Sequence, residues 1–367
     1  MSPFRTFRLE PGGGFRRRSP NAAALAVAGA LVLVGCGGGE KAGSPPQAPP
    51  TTAAVGAPQV PPARPSTKSN AVTIASATAP YARFGTDAAP GVFPRTVRHA
   101  MGETRIERAP VRVVTLDTGE LDTAIELGVK PLGTVDYGAD GLPAYFAPRE
   151  VEGVEVVGTI QAPNLEAIAR LRPDVILSSK LRHEALYPQL SQIAPTVFAE
   201  RVGVSWKQNF DLFAQALGRE EQAAKTRDRY AERAAALNRA LPLPRPTVSV
   251  VRIMAANIRL YQRANFLGVL LTDLGFPRPE SQNVDDFAAE VGLEQLDQAD
   301  AEVIVVAVFD ALKNTNADAV LSSPVWKQLR GVQAGRVHKV DDQTWLGGIG
   351  YHAAFAVMDQ LEQLFRR

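Results

Sequence analysis

The sequence predicts an α/β protein: two Rossmann-like βαβ lobes joined by a single long rigid helix, with a ligand cleft between the lobes. Three observations carry this. From residue 111 the chain alternates short β-branched runs with helical patterns. A segment of the first half recurs in the second at a constant offset. Between the halves lies an uninterrupted run of strong helix formers.

Taken in order, Val111–Leu116 reads as a buried strand and Glu120–Leu127 as a helix closed by Gly128. Val129–Val135 supplies the next strand, Pro163–Leu171 a helix with Asn164 as its N-cap, and Asp174–Ser178 a further strand. The second half repeats the scheme, with Thr247–Ile253 as strand, Asn265–Leu274 as a helix ending at Gly275, Leu293–Leu296 as a short helix and Glu302–Val308 as strand. Asn164–Leu177 lies over Gly292–Val305 at an offset of 128, with Leu, Glu, Val and Ile coinciding. Residues 219–241 hold no Pro or Gly and are rich in Ala, Glu, Arg and Gln, enough for a helix about 34 Å long. Pro242, Pro244 and Pro246 stop it. These limits place the N-terminal lobe at 90–217, the connecting helix at 218–241 and the C-terminal lobe at 246–367. A stiff connector implies a cleft that changes width only slightly.

What precedes the lobes reads as an address. Arg16-Arg17-Arg18 is followed by the apolar run Ala22–Val34, thirteen residues or about 20 Å of helix, too short to span a bilayer core. A basic segment, a short apolar segment and small residues at its end make a signal peptide over 1–35. The run ends at Leu33-Val34-Gly35-Cys36, which resembles a bacterial lipobox, and Cys36 is the only cysteine. That resemblance implies lipidation at Cys36. Arg17-Arg18 fits twin-arginine export poorly, so the route stays open. In residues 37–70, 25 of 34 are Pro, Gly, Ala, Ser or Thr, a composition that cannot offset its ordering entropy and so predicts a disordered tether over 36–70.

Composition narrows the chemistry. Lys plus Arg is 40 and Asp plus Glu is 38, and the first 35 residues alone contribute +4, so the body is near neutral and offers no stripe for nucleic acid. One cysteine excludes a disulfide framework, a Cys-based zinc site and an iron–sulfur cluster. The four histidines (99, 183, 338, 352) are scattered, which predicts no direct metal site and no intrinsic cofactor. No phosphate-binding glycine loop, nucleophile elbow or H-E-x-x-H occurs. Asp117-Thr118-Gly119 imitates an aspartic-protease signature, but that chemistry needs a second such carboxylate, and the body has no second D-T-G or D-S-G. It reads instead as a βα turn whose tip faces the cleft.

The body also resembles a known family. Phe93–Gly102 with Ala109–Val114, then Asn164–Leu177, Val250–Arg252 with Ile258–Tyr261 and Phe266–Gly268, then Ser323–Trp326, Gly335–His338 and Trp345 are similar, in this order, to motifs of the iron-siderophore (ferrichrome and vitamin B12 type) substrate-binding proteins of ABC transporters. The resemblance spans residues 90–367. It implies a non-enzymatic, monomeric lipoprotein on the extracytoplasmic face of the cell membrane that hands a ferric siderophore to a two-fold permease. It also implies that Glu166 and Glu294, the aligned acids, dock on that permease.

A ferric siderophore is large and often anionic, so its cleft needs fixed cations and flat surfaces. Arginine suits this because its guanidinium stays charged and can bond chelating oxygens in pairs. Arg252 ends the first strand of the second lobe, Arg259 and Tyr261 follow, and Arg182 lies just after the strand 174–178. Trp345, flanked by Gly347 and Gly348, is expected to pack on the chelate, with Tyr137 as a further candidate. Heme or a corrinoid is the rival ligand, with His183 as axial ligand for heme. A two-lobe enzyme and a protein-binding lipoprotein remain as readings from other classes.

Overall fold

The computed structural model describes residues 73–137, 141–309 and 316–365. Cys36, the signal segment and the tether lie outside the described residues. A hairpin of β1 (Arg95–His99) and β2 (Gly102–Ile106) precedes two five-stranded sheets. The first contains β3 (Val113–Thr115), β4 (Gly133–Asp136), β5 (Glu155–Thr159), β6 (Val175–Ser179) and β7 (Thr196–Ala199) in the spatial order β5-β4-β3-β6-β7. Every pairing in it is parallel.

The second contains β8 (Val248–Ile253), β9 (Ile258–Tyr261), β10 (Ala288–Val291), β11 (Val303–Val308) and β12 (Val337–Lys339) in the matching order β10-β9-β8-β11-β12. Here the repetition is incomplete. β9 runs antiparallel to both β8 and β10, while β11 pairs in parallel with β8 and β12. The reason is chain length. Only four residues separate Ile253 from Ile258, and the Met254 N–H donates to the Asn257 carbonyl at 2.9 Å, closing a turn too short for a parallel crossover.

The principal helices are α1 (Thr118–Glu126), α2 (Leu165–Arg170), α3 (Trp206–Leu217), α4 (Glu220–Ala240), α5 (Phe266–Asp273) and α6 (Tyr351–Phe365). Asparagine oxygens set the starts of α2 and α5: Asn164 Oδ1 accepts from Ala167 N at 3.0 Å and Asn265 Oδ1 from Gly268 N at 2.8 Å. The second-lobe counterpart of α2 is a 3₁₀ helix, Leu293–Ala299, and the cap position there is Gly292, which has no side chain to offer. Gly218 takes φ 66° at the end of α3, so the chain turns at once into α4, the 21-residue helix between the sheets.

Helix α6 leaves the second sheet and packs on α1 and α4. Its Tyr351, Ala354, Val357 and Met358 share one buried cluster with Leu127, Phe210 and Tyr230. Asp122, fully buried in α1, accepts from His352 N at 3.0 Å and Ala353 N at 2.9 Å and thereby caps α6. Gly350 makes that approach feasible, since a Cβ there would stand 2.1 Å from an Asp122 oxygen. Burial pushes the Asp122 carboxyl up to about 7. Among the described residues no helix is long and apolar enough to cross a membrane.

Candidate functional site

Two cavities of about 410 and 340 Å³ share the walls Arg182, Arg252, Leu346 and Ile349. Both lie between the lobes, at the carboxyl ends of the parallel strands, where open α/β sheets bind ligands. The larger gathers four guanidinium groups: Arg182 and Arg201 from the first lobe, Arg252 and Arg259 from the second. Leu181, Phe266 and Phe287 add apolar wall.

In the second lobe the β8–β9 hairpin does the placing. Arg252 lies directly opposite Arg259 across the ladder. Opposed residues share a face, and Tyr261, two residues beyond Arg259, returns to the same face. Two cations opposed in a ladder repel, so each takes a carboxylate. Asp342 accepts from Arg252 Nε at 2.6 Å and Nη2 at 2.5 Å. Glu290 on β10 meets Arg259 at 2.9 and 3.0 Å. Arg252 also donates to the Tyr261 hydroxyl at 2.8 Å and lies 4.9 Å from the centre of the Phe309 ring. Burial disfavours the charged Arg252, but Asp342 and Tyr261 outweigh it and move the group upward.

In the first lobe the cations come from segments after the strands. Arg182 follows β6 and donates through Nε to Asp117 Oδ2 at 2.7 Å. Asp117 is 1% exposed and heads α1, where Oδ1 accepts from Thr118 N at 2.7 Å. The D-T-G turn therefore does face the cleft, as a helix cap and ion-pair partner. Arg201 follows β7 and, among the described residues, its guanidinium takes no carboxylate partner. Position after a strand makes Arg182 legible in sequence, and the same rule applies to Arg201, which was missed. The sequence places the Asp117 turn at the cleft, but the pairing of Asp117 with Arg182 and of Asp342 with Arg252 is not legible there because it spans 65 and 90 positions.

Arg182, Arg252, Arg259 and Tyr261 thus converge on one cavity, and Tyr137 lines the smaller one with its hydroxyl 3.0 Å from Thr134 Oγ1. Tyr261 is only 3% exposed, and its hydroxyl accepts from Arg252. Trp345 departs from expectation. It is fully buried, its indole N–H donates to Gln360 Oε1 at 2.6 Å, and it sits in the core with α6, away from either cavity. A large aromatic just before two glycines reads as a platform in sequence, but here the helical turn Gln343–Gly347 folds it inward. His183 offers no nitrogen to a metal. Its Nε2 donates to the Ile160 carbonyl at 2.6 Å, so Nδ1 accepts from Ser178 Oγ at 2.7 Å. Glu166 and Glu294 are both exposed, each in the first turn of its helix. Among the described residues no group of His, Cys, Asp and Glu is arranged to hold a metal ion.

With this geometry in place, comparison decides the family. Residues 113–344 match the family model described as periplasmic binding protein. The chain belongs to the periplasmic binding protein family. It is 36% identical over 285 residues to a probable siderophore-binding lipoprotein, YfiY, of Bacillus subtilis, covering 74% of this chain and 87% of the relative. It is 30% identical over 264 residues to the achromobactin-binding periplasmic protein of Dickeya dadantii, covering 70% and 86%. Among solved structures, Staphylococcus aureus SirA complexed with staphyloferrin B superposes with a TM-score of 0.67 at 33% identity, covering 73% of this chain and 97% of that one. Members of the family are binding proteins. The two-lobe α/β architecture expected from the sequence is the one they share.

Proposed function

We propose that this protein captures a ferric siderophore in the cleft between its lobes and delivers it to an ABC transporter permease, without catalysis and without a cofactor of its own. The observation that carries this is the convergence of four guanidinium groups, from both lobes, on one cavity of ligand size. Relatives named for siderophore and ferric-citrate binding support the same class of cargo. Arg252, Arg259, Arg182 and Arg201 would bond the chelate's oxygens, with Tyr261 and Tyr137 as hydroxyl contacts. Iron enters as cargo, held by the chelator. Heme fits less well, because both nitrogens of His183 are engaged within the protein.

Cys36, at the end of the lipobox-like run, would carry the lipid that holds the protein at the extracytoplasmic face of the membrane. Glu166 and Glu294 would meet a two-fold permease at two equivalent points. Reversing both charges should abolish uptake by cells while leaving chelate affinity unchanged; normal uptake removes the docking role.

The three tryptophans are all buried, so calorimetry is the better assay for binding. Titration with ferric citrate, a ferric tris-catecholate, a ferric trihydroxamate, heme and cobalamin should give sub-micromolar binding of one iron chelate. Binding of heme or cobalamin alone, or of none of the five, overturns the proposal.

A further inference from the structure

Glu120 is a buried carboxyl group without a hydrogen bond. It lies in the first turn of α1, is 1% exposed, and neither of its carboxyl oxygens meets a partner. An ionised carboxylate in that position forfeits its hydration and, with no hydrogen-bond partner, is repaid only in part by the charge of Arg182. Burial, reinforced by the negative charge of Asp117, pushes the group up to about 8. Three groups face it from the elements around it: Asp117 at the head of α1, Arg182 after β6 and Tyr137 after β4. All three line the smaller cavity of the cleft.

Arg182 spends its Nε on Asp117 and stands where the two cavities meet. While Glu120 keeps its proton, Asp117, Glu120 and Arg182 together carry no net charge. Once Glu120 ionises, the same three groups carry one negative charge behind the wall that an anion must approach.

We propose that Glu120 couples ligand capture to proton uptake: an anionic chelate is held tightly against Arg182 while Glu120 is protonated and loosened when Glu120 gives up its proton. This rests on the reading that the cleft takes a ferric chelate. The proton comes from solvent and returns to it. An anion beside Arg182 cancels part of the positive field that an ionised Glu120 would need, so binding raises the proton affinity of Glu120. By reciprocity, protonation raises the affinity for the anion by the same factor.

The test is calorimetry of the wild-type protein, Glu120→Gln and Arg182→Gln with ferric citrate and a ferric tris-catecholate at pH 7 and pH 9, and at pH 8 in both HEPES and Tris. Between pH 7 and pH 9 the wild type should lose about tenfold more affinity than Glu120→Gln, which carries no proton to lose. The chelate's own titration is common to both proteins and cancels. At pH 8 the binding heat of the wild type should differ between the two buffers by the uptake of part of a proton, and Glu120→Gln should lack that part. Arg182→Gln keeps Glu120 yet should also lack it, which preserves the test if Glu120→Gln does not fold. Identical pH profiles in all three proteins, or a wild-type heat that differs between buffers no more than the variants', overturn the proposal while leaving the functional reading intact. Absence of binding by the wild type at every pH overturns both.

Discussion

The two lobes share one strand order and place their cations by different means. In the first, all pairings are parallel and Arg182 and Arg201 come from segments that follow β6 and β7. In the second, a hairpin replaces the first crossover and sets Arg252 against Arg259 on paired strands. Segment-borne cations can stand apart, and Arg201 does without a carboxylate among the described residues. Ladder-borne cations cannot stand apart, so the second lobe supplies Asp342 and Glu290. The lesson is that a rigid support for charge brings its own neutralising partners, whereas a loop support need not.

That contrast can be broken residue by residue. Asp342→Ala should have the largest effect, because Arg252 is left buried and facing Arg259. We expect a loss of about 2–3 kcal/mol in stability, read as a fall in denaturation midpoint. Arg252→Ala should lower chelate affinity by about 1.5–3 kcal/mol, roughly ten- to a hundredfold, measured by calorimetry. Unchanged affinity in a folded variant removes Arg252 from the binding set. The equivalent change in the first lobe, Asp117→Ala, should cost only about 1 kcal/mol. It removes a helix cap and an ion pair whose arginine is 35% exposed. A cost equal to that of Asp342→Ala would erase the distinction between the lobes.

The smallest effect lies at the joint between them. Burial works against a charged His352, but Glu126, Asp122 and Glu150 outweigh it and hold the ring above the ordinary histidine value. A raised folded value means stability that is full below about pH 6.5. It is lost as pH climbs through the folded value. His352→Gln should therefore narrow the difference in unfolding free energy between pH 6 and pH 8 by less than about 1 kcal/mol, since the ring is partly exposed.

Much of the fold was legible in sequence because its signals are local. Asn164 caps where expected, the helix expected from Asn265 begins there with Asn265 as its cap, Gly275 takes φ 66° after α5, and α4 spans the run free of Pro and Gly. The antiparallel β9 was missed because Ile258–Tyr261 is only four residues long and, so soon after the strand that ends at Ile253, reads as part of a loop. The arginines of the cleft were legible by strand position, but their carboxylate partners were not, since Asp342 lies 90 residues from Arg252. Trp345 misled because residue type says what a side chain can do, while only the path of the turn says which way it faces. Glu120 was invisible for the reverse reason: a glutamate in the first turn of a helix is ordinarily solvated there, and only packing by other segments takes its water away.

The cap that Asp122 places on α6 bears on the order in which the protein is made. The first lobe's α1 is covered by a helix formed from residues 351–365, and Asp122 meets its donor His352 across 230 positions of sequence. During synthesis, therefore, that lobe waits with an open flank, and Asp122 without its two backbone donors, until α6 emerges. The lobe begun first is completed by a segment made after the second sheet, so loss of α6 should damage the half of the molecule more distant from it along the chain.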